Sequence, residues 1–327
     1  MPPSATDPAA VASALLGMRV DAVEARRGGG NNRVFRVRAG ARSYALKGYP
    51  TTVDDPRDRL GHEFGGLTFL RRGGVTAVPE PLAADPVAGF ALYDWIEGTP
   101  VSSHDATDIE NAVSFLAQLD ELSGDPAAAA LPAAAEAVFR PAELDAQIAF
   151  RLERLAALPG DEPALRRLVP EIRAILRTLD RPDEAPVPRR TLSPSDFGFH
   201  NALRRPDGDL VFLDFEYFGW DDPVKLVCDV WWHPGMALGV ADRELFVRLA
   251  RPVYAADREW DERFARDLPR YGLRWALIVL NEFVPGVWER RRAAGAGLDW
   301  TAAKAAQAAK AEALVERVRA LADRRLR

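Results

Sequence analysis

The chain has 327 residues, enough for two domains, with 48% hydrophobic and 28% charged residues, the balance of a globular protein. Its net charge of −5 argues against nucleic acid as the main partner, because a surface that binds phosphates needs a basic face. A single cysteine, Cys228, excludes an internal disulfide framework or CxxC metal site and points to a reducing cytoplasm.

The apolar stretch Ala9 to Met18 lacks a basic flank and follows Asp7, so it reads poorly as a signal peptide and better as a short lead-in helix. No apolar run reaches the length that would span a bilayer, so no membrane partner is expected. Strand signals follow at Val20–Arg26, Arg33–Arg38 and Ser43–Lys47, with Gly28-Gly29-Gly30-Asn31-Asn32 between the first two. This is an antiparallel meander with a glycine-rich loop. Asp54-Asp55-Pro56 is expected to open a helix whose apolar face is Leu60, Phe64, Leu67 and Leu70, ended by Gly73-Gly74. Short strands are expected near Val78–Leu82 and Gly89–Trp95.

Ile96–Pro100 breaks the pattern and reads as a hinge. The chain then turns helical at Asp105–Leu122, Pro141–Leu158, Pro163–Leu179, Leu268–Arg291 and Thr301–Leu326, with an alanine- and proline-rich loop at Ser123–Ala137. Residues 191–216 return to strand character. The expected division is therefore 1–96 and 97–327.

The chemistry concentrates in Ser195-Asp196-Phe197-Gly198-Phe199-His200-Asn201, followed by Asp214-Phe215-Glu216, with Asp214 18 residues after Asp196. Between them, Arg205-Pro206-Asp207-Gly208-Asp209 is a turn by composition, since proline presets φ and glycine permits positive φ. The resulting hairpin brings Asn201 and Asp214 together at its open end. Phosphoryl transfer needs such a set: one carboxylate for the attacking hydroxyl, and a carboxylate with an amide oxygen for Mg²⁺. Each aspartate alone would read as a turn residue; the joint spacing favours catalysis.

Tyr44-Ala45-Leu46-Lys47 is similar to the Val-Ala-Ile-Lys strand of kinases. Period two puts Ala45 and Lys47 on one face, with a small residue to leave room for adenine and an ammonium to meet phosphates. Only four of the 43 basic residues are lysines, so Lys47 is chosen against a strong arginine bias. Glu63, sixteen residues on, is placed to pair with it.

On these residues the chain resembles the aminoglycoside phosphotransferase and choline kinase superfamily over most of its length. Asp214-Phe215-Glu216-Tyr217 looks like the choline and ethanolamine kinase version of the metal motif. The resemblance implies an α+β, two-lobed protein-kinase-like fold. Its small antiparallel β-rich N-lobe would carry one crossing helix, and its larger C-lobe would be mostly helical. It implies ATP and Mg²⁺ as cofactors and a small-molecule hydroxyl as acceptor. Carried over, Asp196 is the catalytic base, and Asn201 and Asp214 are the metal ligands. Lys47 meets the phosphates and Glu63 orients it, with Gly29, Gly30, Asn31 and Asn32 as an anion nest. Adenine lies against the backbone of the segment containing Tyr93 and Trp95.

The chain departs from the family at Pro194-Ser195-Asp196, where the family has His-Gly-Asp and the histidine braces the catalytic loop. His200 is nearby and is a candidate to provide part of that bracing. Asp222 and Asp229 resemble the family's supporting aspartates, Asp222 as a helix N-cap. Trp231, Trp232, His233, Asn281, Glu282 and Trp288 are candidates for an acceptor pocket, with core packing the better reading for the tryptophans.

The competing function is a nucleotide-binding regulator with little turnover, for which the missing His-Gly pair speaks and the retained Asp196 speaks against. The lack of GxSxG speaks against a serine hydrolase, and the metal motif reads Asp214-Phe215-Glu216 where a protein kinase has Asp-Phe-Gly. The acceptor's identity and the oligomeric state are not legible.

Overall fold

The computed structural model describes residues 7–26, 32–49, 57–159, 162–179, 184–293 and 299–325. By contacts the chain forms two compact units, Met1–Ala135 with Leu192–Trp220, and Glu136–Thr191 with Asp221–Arg327. The sheet and helix expected within 1–96 belong to the first unit, which extends beyond that range.

The first unit is built on a five-stranded antiparallel sheet of order β1-β2-β3-β5-β4. Its strands are β1 (Ala22–Arg26), β2 (Arg33–Ala39), β3 (Arg42–Gly48), β4 (Pro81–Asp85) and β5 (Phe90–Asp94). Alternation decides its two faces. Val37, Tyr44, Leu46, Phe90 and Leu92 turn one way and pack on helix α1 (Pro8–Leu16) through Val11 and Ala12. Ala45 and Lys47 turn the other way. Register sets Lys47 opposite Val34 on β2 and Ala91 on β5.

Helix α2 (Arg59–Arg72) starts where Asp58 accepts a hydrogen bond from the Gly61 amide, a side-chain N-cap. The expected opening at Asp54–Pro56 lies outside the described residues. Leu60, Leu67 and Leu70 are buried as the periodicity predicts, and Glu63 is buried with them. Gly66 lets the helix approach the chain after Asp214: a Cβ there would meet the Phe218 ring at 2.4 Å.

The unit continues through β6 (Thr99–Pro100) and α3 (Ala106–Leu122). After an excursion through the second unit it resumes with β7 (Thr191–Ser193), β8 (Ala202–Arg204), β9 (Leu210–Phe212) and β10 (Gly219–Asp221). Strands β6, β8 and β9 form an antiparallel sheet. The β8–β9 turn is the one predicted from Pro206-Asp207-Gly208: Gly208 has φ +98°, and its amide donates to Arg205 O at 3.0 Å. Beneath the hairpin Phe115, Phe197, Phe212 and Phe215 form an aromatic cluster, with centroids 4.7 Å apart for Phe115 and Phe212 and 4.8 Å for Phe197 and Phe212. Tilted rings at this spacing pack closely and bury large apolar area.

The second unit is helical: α4 (Pro141–Ala156), α5 (Pro163–Thr178), α6 (Pro223–Trp232), α7 (Val240–Val253), α8 (Trp260–Val279), α9 (Pro285–Ala293) and α10 (Trp300–Arg325). Helix α8 is its axis, packed against α4, α6 and α10. Asp222 caps α6, accepting from the Val224 amide at 3.0 Å, and its carboxylate also holds Arg263. Trp232 is a core residue, donating to Leu268 O at 2.7 Å, and Trp288 is buried with its ring stacked on Trp300. Among the described residues no helix is long and apolar enough to cross a membrane.

Candidate functional site

A cavity of about 650 Å³ lies within the first unit, in the size range of small-ligand sites. Its apolar walls come from Val34, Ala45, Pro79, Ile96, Leu203 and Leu213, and its polar end holds Lys47, Glu63, Asn201 and Asp214. A flat aromatic base suits the first part and a charged tail the second.

Lys47 is the centre of the polar end. Its Nζ lies 2.6 Å from Glu63 Oε2 and 2.6 Å from Asp214 Oδ1. Burial would lower its pKa, but Glu63 above all, then Asp214 and Glu216, reverse this and hold it above the usual lysine value. The ammonium therefore stays charged at physiological pH. Burial raises the Glu63 pKa, and Lys47 opposes that rise. Tyr49, which the sequence did not single out, donates to Glu63 Oε2 at 2.9 Å. Its oxygen is 2.6 Å from the Tyr93 hydroxyl. With Tyr49's proton committed to the carboxylate, Tyr93 is the donor in that second bond. Tyr93 is thus a buried residue whose ring bears on Glu63 through Tyr49. Trp95 lies under two guanidinium groups, Arg36 at 4.6 Å and Arg26 at 5.4 Å from its ring centre.

The hairpin does what its composition predicts. The Leu213 amide donates to Asn201 O at 2.7 Å, so Asn201 and Asp214 flank one rung of the same ladder. Asn201 Nδ2 donates to Asp196 O at 2.9 Å, which turns its Oδ1 away from that bond. Asp214 adopts φ +67°, an uncommon left-handed conformation for a non-glycine residue and one enriched at working sites. An amide oxygen and a carboxylate form a hard-oxygen donor set, and this fits Mg²⁺.

Asp196 has a partner. His200 Nε2 lies 3.1 Å from its Oδ1, and because a carboxylate only accepts, Nε2 carries the proton. The ring thus lies against the Asp196 carboxylate. Ser195, at the family's glycine position, has φ +68°. Glycine would adopt that conformation freely; a side chain costs about 1–2 kcal/mol. Two hydrogen bonds offset the strain: Ser195 N donates to Ser193 Oγ at 3.0 Å and Ser195 Oγ donates to Ala135 O at 3.2 Å.

Of the nest residues, Gly29, Gly30 and Asn31 lie outside the described residues. Asn32 is described and lines the cavity. Glu216, which the sequence offered only as part of a motif, is buried and bonded to Asn32 and Arg59.

Residues 22–265 match the sequence profile of APH, the phosphotransferase enzyme family. No curated protein sequence matches the chain. Among solved structures, the fold is similar to choline kinase LicA from Streptococcus pneumoniae at TM-score 0.59 and 16% identity, covering 94% of this chain and 96% of that one. It is similar to spectinomycin phosphotransferase APH(9)-Ia, solved with ADP and spectinomycin, at TM-score 0.61 and 12% identity, covering 96% and 99%. It is also similar to APH(2")-IIa, solved with streptomycin and ATP, at TM-score 0.58 and 14% identity, covering 88% and 97%. With this match over most of its length, a kinase-like α+β fold and a cavity that joins apolar walls to a lysine–carboxylate end, the chain belongs to the phosphotransferase enzyme family and is a small-molecule phosphotransferase.

Proposed function

We propose that this protein transfers the γ-phosphate of ATP, bound with Mg²⁺, to a hydroxyl group of a small molecule. The observation that carries the reading is Lys47 Nζ at 2.6 Å from both Glu63 and Asp214 inside one cavity. That contact joins a phosphate-gripping cation to a metal-binding carboxylate.

Asp196 accepts the proton of the acceptor hydroxyl, and His200 holds its carboxylate in orientation. Asn201 Oδ1 and the Asp214 carboxylate would hold the metal. When bound, that ion supplies charge neutralisation on the transferring phosphoryl group. Lys47, kept charged and pinned by Glu63, grips the phosphates. Catalysis by this set is mostly positioning and electrostatics. A cytoplasmic setting belongs to the same proposal, supported by the single buried Cys228.

The test is ADP release from ATP and Mg²⁺ across a panel of sugars, amino alcohols and aminoglycosides. Acceptor-dependent release that falls at least about 10³-fold in Asp196→Asn supports the reading. Equal turnover by both proteins would sink it. Nucleotide binding with no turnover on any acceptor would favour a regulator.

A further inference from the structure

The reaction leaves the third residue of Asp214-Phe215-Glu216 without a task. Glu216 is 3% exposed. Its two oxygens are used separately: Oε2 accepts from Asn32 Nδ2 at 2.6 Å and Oε1 accepts from Arg59 Nη1 at 2.9 Å. Three stretches remote in sequence meet on one carboxylate: the residue that leads into β2, the first turn of α2, and the chain just after Asp214. A buried carboxylate is tolerated only when paired in this way.

The tie fixes more than the backbone. A carboxylate has no proton to give, so the amide of Asn32 is oriented without ambiguity, with Nδ2 on Glu216 and Oδ1 on the other side. Asn32 is 8% exposed, and its Oδ1 is buried without a hydrogen-bond partner. Such groups are uncommon, and one at the wall of a ligand cavity points to a ligand. Oδ1 can only accept. The phosphates of a nucleotide at neutral pH are acceptors too, so the matching partner is a donor.

We propose that Asn32 contacts the bound metal–nucleotide complex by accepting from an O–H donor, either a ribose hydroxyl or a water on the ion. Glu216 is then the positioning residue that sets the amide for that contact. This rests on the nucleotide reading given above. Glu216 acts here as a brace, with its oxygens committed to Asn32 and Arg59, and the metal ligands remain Asn201 and Asp214.

The experiment is calorimetric titration of full-length protein with ADP, with and without Mg²⁺, and with 2′-deoxy-ADP. Asn32→Ala leaves the Glu216–Arg59 pair in place and is the primary variant. Its expected effect is about tenfold weaker binding of Mg²⁺–ADP, the worth of one hydrogen bond. A deficit that disappears on 2′-deoxy-ADP assigns the donor to the ribose; one that disappears without Mg²⁺ assigns it to water on the ion. Glu216→Gln should weaken binding similarly, and much less so in the Asn32→Ala background. In turnover the KM for ATP should rise with kcat within about twofold, a split that a purely structural role would not produce. Melting curves without nucleotide report whether each variant folds. Wild-type affinity in Asn32→Ala, or full additivity in the double variant, overturns this inference alone. No ADP binding by the wild-type protein overturns it together with the reading beneath it.

Discussion

In the first unit Lys47 meets two carboxylates, Glu63 and Asp214, both at 2.6 Å. In the second unit a larger network is balanced. Lys225 lies 2.6 Å from Asp221 and 3.0 Å from Asp229; Arg274 holds Asp229 at 3.0 Å and Glu136 at 2.7 Å; Arg151 holds Glu136 at 2.6 Å. Three cations face three carboxylates, and the indole of Trp275 adds a donor to Asp229 at 2.7 Å. The second network satisfies itself and can serve as scaffold. The first retains an excess of negative charge at a cavity, which suits a divalent cation. Closeness of opposite charges is common to both; the charge balance separates a working site from a structural one.

The sharpest way to break this comparison is to neutralise the excess. On the proposed metal role, Asp214→Asn should lower turnover by about 10³-fold or more while the melting temperature holds, because the variant removes like-charge repulsion. A variant that both unfolds and loses activity would put Asp214 in the scaffold instead. The converse change lies at Lys225, which is fully buried. Lys225→Met strands Asp221 and Asp229 and should cost about 3–5 kcal/mol of stability, read by urea denaturation. A change below about 1 kcal/mol would mean that the second network contributes little.

These contrasts also show which parts of the molecule were legible in advance. Strands β1, β2, β3 and β5, and the β8–β9 turn, were readable because alternation and Pro-Asp-Gly act over a few residues. The same holds for the rung that joins Asn201 to Asp214. The Glu216 tie was not readable, since it joins positions 184 and 157 residues apart and a lone glutamate carries no periodic signal. Tyr49 was not singled out either: it follows the end of β3, and its partners Glu63 and Tyr93 are 14 and 44 residues away. Arg151, Arg274 and Glu136 were not singled out, because only the packing of α4 on α8 turns them into a network.

A smaller effect is expected at His200. His200→Ala removes one partner of the Asp196 carboxylate and should lower kcat roughly 10–100-fold with little change in KM for ATP, a cost of lost orientation. An unchanged kcat would mean that the His200 contact does not orient Asp196.

The mildest test is one of pH. Burial would raise the Glu136 pKa, but Arg274 and Arg151 overcome it and hold the carboxyl down at about 2. A carboxyl depressed in the folded state adds stability above its unfolded pKa of about 4.5 and loses it as pH falls toward the folded value. Glu136→Gln should therefore flatten the fall in melting temperature between about pH 4.5 and pH 2. The effect will be modest, since the side chain is 40% exposed and water damps the interaction. A profile parallel to wild type would assign the acid sensitivity to other carboxyls.

The interleaved chain has a consequence for synthesis. The first unit is closed only by Leu192–Trp220, and the second, begun at Glu136, only by the residues after Asp221. On a ribosome neither can finish in order. The nascent sheet must wait through α4 and α5 before its catalytic hairpin emerges, and those helices wait in turn for α8. Contacts so distant in sequence slow folding and leave apolar faces open for longer. The cavity should therefore appear late, and a chain released before the β8–β9 hairpin should lack much of its lining.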